Sequence, residues 1–142
     1  MYDQWKAYGQ SKTANILFSK ALAQKLGDKG LQSYSLHPGV VFGTSLAGAG
    51  LSAEDFTTLK ALDKEIGDPL GEDGAEFDVK TMDECTATHV VTAFEPRLAA
   101  FNGGYLEDTN ISDKVRPTAK NPEDVEKLWK LSEELVGQKF QY

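Results

Sequence analysis

Twenty residues of helical period, Ala7 to Leu26, are shut off by Gly27 and Gly30. They are followed at once by a short run, Leu31 to Leu36, that ends on His37-Pro38-Gly39. No other feature restricts the fold as much. Ile16, Leu17, Phe18, Ala21, Leu22 and Leu26 make an apolar stripe, while Lys20, Gln24 and Lys25 stay off it, so the segment is expected to be an amphipathic helix. The glycines stop it, and the run after them reads as a strand because a turn and a Pro-Gly break bracket it. The same theme recurs down the chain. Ser52-Ala53-Glu54-Asp55 is a capping-box arrangement ahead of Phe56, Leu59, Leu62 and Ile66. Gly67 to Asp78 reads as an acidic, glycine-rich loop. Thr81 can cap a further helix whose apolar positions are Met82, Cys85, Val90, Ala93 and Phe94, and Pro96 ends it. Asn102-Gly103-Gly104 turns into a short strand, Tyr105-Leu106. Residues 121–136 form the last helix, with Asn121 as cap, Pro122 at the first helical position, and Val125, Leu128, Trp129, Leu135 and Val136 on its apolar side. Helix, strand, excursion with a helix, helix, strand, helix: this alternation predicts an α/β fold with parallel strands and crossover helices. Two short strands are too few for the sheet such helices normally cover.

The net charge of −7 is local. Leu51 to Glu84 holds eleven Asp and Glu against three Lys, a net −8, and reads as a solvated excursion. With no basic concentration elsewhere, nucleic acid is not an expected partner. No apolar run reaches the roughly 20 residues of a membrane span, and the first residues do not resemble a secretory leader, so a cytoplasmic chain is expected. Cys85 is the one cysteine, and the histidines are His37 and His89. No metal site is expected from them. Cys85 and His89 read as helix residues and His37 as a strand-end residue.

Two Tyr-x-x-x-Lys spacings occur, Tyr2 with Lys6 and Tyr8 with Lys12, and the spacing alone chooses neither. The chemistry that would use such a pair is definite. When hydride reaches a carbonyl carbon, negative charge gathers on the oxygen. A phenol can protonate that oxygen, but its ordinary pKa of about 10 suits neutral pH badly. A lysine ammonium one helical turn away favours phenolate and lowers that value. A Pro-Gly break at the carboxyl end of a strand lies where open α/β sheets bind ligands, and it lets the backbone come close to a flat ring.

YGQSKTANILFSKALAQKL, SLHPGVVFGTSL and NGGYLED, in that order, resemble the C-terminal half of short-chain dehydrogenases/reductases, nearest to a retinol-dehydrogenase-like branch. The resemblance runs through residues 1–142. It selects Tyr8 and Lys12, because Ser11, Ala14 and Asn15 flank Lys12 as the family requires and nothing comparable flanks Lys6. It implies Tyr8 as general acid/base, Lys12 as its tuner and a ligand of the nicotinamide ribose, and NADP or NAD as cofactor. Cofactor contacts are implied for Pro38 and Gly39, for the Val41 main chain and for the Thr44 hydroxyl. Thr44 competes with Ser45, because Phe42-Gly43 lengthens the spacing by one residue. Residues 7–26 become the catalytic helix, 45–80 the substrate-loop region over a small, apolar carbonyl/alcohol substrate, and 121–136 the C-terminal helix. The implied fold is a partial Rossmann-like, doubly wound parallel sheet with the N-terminal cofactor-binding half absent. The glycine-rich phosphate turn and the family's catalytic serine and asparagine have no counterpart here. The isolated chain is therefore expected to be inactive, and to form a homo-oligomer or associate with a complementary N-terminal half. An alternative is a non-catalytic truncated product that assembles with an intact relative through its helices.

Overall fold

The computed structural model describes residues 2–41, 44, 52–65 and 79–142. Helix α1 spans Gln4–Leu26 and opens three residues before the expected start. Asp3 explains the extension: its carboxylate accepts from the amides of Trp5 at 2.9 Å and Lys6 at 3.1 Å, which satisfies donors a helix start leaves unpaired. The other end matches the sequence. The helix stops at Leu26, and after one 3-10 turn Gly30 turns left-handed at φ 86°.

Strand β1 is shorter than Leu31–Leu36 and shifted, covering Ser35–His37. The cause is Asn102. Its side-chain oxygen accepts from the Ser33 amide at 2.8 Å, and its amide nitrogen donates to the Leu31 carbonyl at 2.8 Å. Backbone groups that a neighbouring strand would pair are thus held by a side chain. Strand β2, Tyr105–Glu107, lies parallel to β1, with Leu36 opposite Leu106. A third strand that the sequence reading missed, β3 at Asn110–Ile111, returns antiparallel to β2. The sheet is therefore small and mixed, in the order β1-β2-β3. Asp108 and Thr109 form the two-residue turn at φ 47° and 64°. Such turns usually carry Asn or Gly, so an Asp-Thr pair gives little warning of a hairpin.

Helix α2 is Ala53–Glu65, and its expected box is present: the Asp55 amide donates to the Ser52 hydroxyl at 3.1 Å, and the Ser52 amide donates back to Asp55 at 2.9 Å. Ile66, the loop 67–78 and most of the 45–80 region lie outside the described residues. Helix α3, Met82–Phe94, starts on a reciprocal Thr81–Glu84 capping box, as its sequence predicts. Its expected apolar face is wrong, however. Met82, Val90 and Phe94 are exposed, and the buried position is Thr88. The helix packs against β1 and β2, where the Thr88 hydroxyl accepts from the Thr109 amide at 3.2 Å and so serves the hairpin turn. Pro96 begins a 3-10 segment, as a helix breaker should.

Helix α4, Pro122–Val136, has the expected Asn121 cap and Pro122 start. Leu17 and Ala21 of α1 bury against Val125 and Trp129 of α4, with Leu22 and Leu128 beside them, and Phe18 stacks on Trp129 at 5.7 Å. Beyond α4 the chain reverses through left-handed Gly137, and the Gln138 amide donates to the Glu133 carbonyl. This brings Phe140 and Tyr142 onto Trp129 at 6.4 and 5.9 Å.

Candidate active site

Tyr8 and Lys12 stand one turn apart on α1. The Lys12 ammonium lies over the Tyr8 ring, 5.2 Å from its centroid, within the reach of a cation–π contact. The Tyr8 side chain is 46% exposed. Trp5, one turn earlier, meets the same ring edge-on at 6.4 Å. The Ser11 hydroxyl donates to the Tyr8 carbonyl at 2.7 Å, so it serves the helix backbone beneath the pair. The other spacing is arranged differently. Tyr2 is 83% exposed, and Lys6 is bound to Glu65 at the end of α2 at 3.0 Å. That partner raises the Lys6 pKa.

The contacts between α1 and the sheet fix which end of the molecule this pair occupies. Leu26 touches Leu31 through the Leu31 amide, and the Ser19 hydroxyl meets the Ser33 hydroxyl at 2.9 Å. Moving back along the helix therefore means moving forward along the strand. Eleven helical residues separate Ser19 from Tyr8, about 16 Å. Five extended residues separate Ser33 from Pro38, also about 16 Å. Tyr8 and the Pro38-Gly39 corner thus come to the same end of the molecule, the carboxyl end of β1.

At that corner Pro38 and Val41 are half-buried, and Gly39 takes φ 92°, a conformation side chains rarely adopt. The Gly39 amide donates to His37 Nδ1 at 3.1 Å, which makes His37 a brace of the turn. Thr44 is exposed, and Ser45 lies outside the described residues. Helix α2 meets α1 just ahead of the pair, at Trp5 and Lys6. Besides Glu65 on Lys6, it presents Asp55, which is held below its ordinary pKa by the Ser52 hydroxyl and amide, with a smaller contribution from the Trp5 side chain. Elsewhere on α3, His89 Nδ1 meets the Cys85 carbonyl at 3.0 Å, and Cys85 is half-buried.

Retinol dehydrogenase 12 of Homo sapiens is 32% identical over 136 residues, covering 96% of this chain and 38% of its own length. Short-chain dehydrogenase TIC 32 B, chloroplastic, of Brassica napus is 32% identical over 137 residues, or 95% of this chain and 38% of that protein. Short-chain dehydrogenase/reductase prx1 of Penicillium rubens is 32% identical over 142 residues, or 92% and 38%. Over 92–96% of its length the chain is similar to short-chain dehydrogenases/reductases. No protein-family model and no solved structure matches it. The chain spans 38–40% of the length of the curated relatives it matches. Among its described residues no helix is long and apolar enough to cross a membrane. Around the Pro38-Gly39 corner, sequence reasoning missed Lys80, whose stem lies on Gly39 and whose ammonium is 3.2 Å from Asp108. It also missed Trp5 and Lys6 as contacts of α2. Each partner lies far along the chain, so no local spacing announced it.

Proposed function

We propose that the chain is the proton-transfer and substrate-side part of an NAD(P)-dependent oxidoreductase interconverting a carbonyl and an alcohol. The observation that carries this reading is the Tyr8–Lys12 pair at the same end of the molecule as the Pro38-Gly39 corner, in a chain similar to this family. The donor set suits the nicotinamide half of the cofactor. The Lys12 ammonium would hold ribose hydroxyls, the Val41 main chain the carboxamide, and Thr44 the neighbouring phosphate. The cofactor, when bound, supplies the hydride. Tyr8 donates its phenolic proton to the carbonyl oxygen as charge develops there, and takes it back in the reverse direction. Lys12 favours the phenolate this leaves. In this reading residues 1–142 form the second part of one domain, and the three strands lie at the edge of a larger, doubly wound sheet that continues past β1. Helix α2 contributes to the wall over a small, apolar substrate.

The test pairs this chain with the first half of an intact relative and follows reduction of an apolar aldehyde. Tyr8→Phe is expected to lower turnover by about 100-fold or more, the usual worth of a placed acid, and the isolated chain to turn over negligibly. Equal rates for Tyr8→Phe and the unaltered sequence would overturn the assignment.

A second reading rests on the exposure of Met82, Val90 and Phe94 along α3: a non-catalytic chain that assembles with an intact relative. Quenching of Trp5 fluorescence by nicotinamide nucleotide supports the enzyme. Co-purification with a relative, and no quenching, supports assembly.

A further inference from the structure

Lys80 makes three contacts that converge on the corner. Its amide donates to the Val40 carbonyl at 2.8 Å, while Val79 bridges Val40 in parallel fashion. Its stem covers Gly39 so closely that a Cβ on that glycine would overlap Lys80 Cγ and lie 3.3 Å from Lys80 Cβ. Its ammonium stands 3.2 Å from Asp108, with the lysine side chain only 19% exposed. Asp108 begins the hairpin turn that buried Thr88 also holds through the Thr109 amide.

The pairing of β1 with β2 ends at His37 opposite Glu107. Past that rung, among the described residues, the β1–β2 ladder does not continue to keep the corner after β1 and the turn after β2 in step. Lys80 spans the gap. An apolar stem is suited to lie on a bare glycine, and a terminal ammonium to reach a carboxylate on the next strand's turn. We propose that Lys80 is the positioning residue of the nicotinamide-facing corner, locking Pro38 to Val41 against the β2–β3 turn. This role rests on the oxidoreductase reading. A corner already fixed loses less freedom when a flat ring binds on it, which strengthens binding without any contact from Lys80 to the ligand. Gly39 is then required twice, for its backbone angle and for the room the stem occupies.

Amide spectra of the chain and titration with nicotinamide mononucleotide test the proposal. Lys80→Ala is expected to move the Gly39 and Thr109 resonances together and to weaken nucleotide binding by about tenfold, as displaced positioning groups do. Lys80→Met keeps the stem, so it should move Thr109 and leave Gly39 nearly in place, with a smaller loss of binding. Gly39→Ala expels the stem from the other side and should reproduce the Thr109 shift. A Gly39 resonance unmoved in Lys80→Ala overturns the brace, as does undiminished binding in that variant. Failure of the unaltered chain to bind the nucleotide overturns the nicotinamide seat and the reading beneath it, while the spectra still decide whether Lys80 fixes the corner.

Discussion

Tyr105 shows how a single side chain ties the sheet to solution conditions. Burial on β2, aided by the charge of Glu107, pushes its phenol from 10.0 up to about 12. Between those values the unfolded chain has lost the proton and the folded one keeps it. The contribution is therefore complete below pH 10 and disappears as the pH rises through 12. Denaturant midpoints should fall across that window, and Tyr105→Phe should flatten the fall. A wild-type decline no steeper than that of the variant would contradict it. Glu95 works in the opposite direction. Arg97 grips its carboxylate through two side-chain bonds of 2.8 Å and holds its pKa to about 2. Its stabilising effect is present above the ordinary carboxylate range and is lost only as the pH falls through about 2.

Helix α3 is the element where local and tertiary signals part company. Its Thr81–Glu84 capping box is legible four letters at a time, because both partners lie in one turn. Thr81→Ala should cost about 1 kcal/mol and lower the melting temperature by a few degrees; an unchanged melting curve would show that the cap does not matter. The buried face of the same helix was not legible. Thr88 is buried because it serves the hairpin turn, a partner 21 residues away, and hydrophobicity does not encode that. The other elements follow the same division. The Asn121–Pro122 start of α4 and the glycine stop of α1 were readable, since caps and breakers act over a few residues. The shift of β1 depended on Asn102 reaching across 69 to 71 residues, and β3 on a turn of unusual composition. At the candidate site, the closeness of Tyr8 and Lys12 was readable because a helix makes neighbours of residues four apart, although Tyr2 and Lys6 share that spacing and only the residues flanking Lys12 chose between the pairs. Lys80 was not, because its partners Gly39 and Asp108 come from other elements.

For the molecule as a whole, surface area is the governing quantity. A compact folded chain of 15.5 kDa exposes roughly 7,200 Å²; this one exposes 10130 Å². Phe94 at 80% and Leu135 at 78% are among the exposed apolar side chains. Such a surface favours association, and we expect sedimentation to show dimers or larger species whose population falls in Phe94→Glu. A monodisperse monomer at high concentration would refute this. The end of the chain behaves differently from that open surface. Phe18 stacks on Trp129 while Phe140 and Tyr142 meet it edge-on, and Glu133 accepts from both the indole nitrogen and the Phe140 amide. Tension applied to Tyr142 would be carried through one indole to the rod that also bears Tyr8, so the last five residues act as a tendon rather than a loose thread.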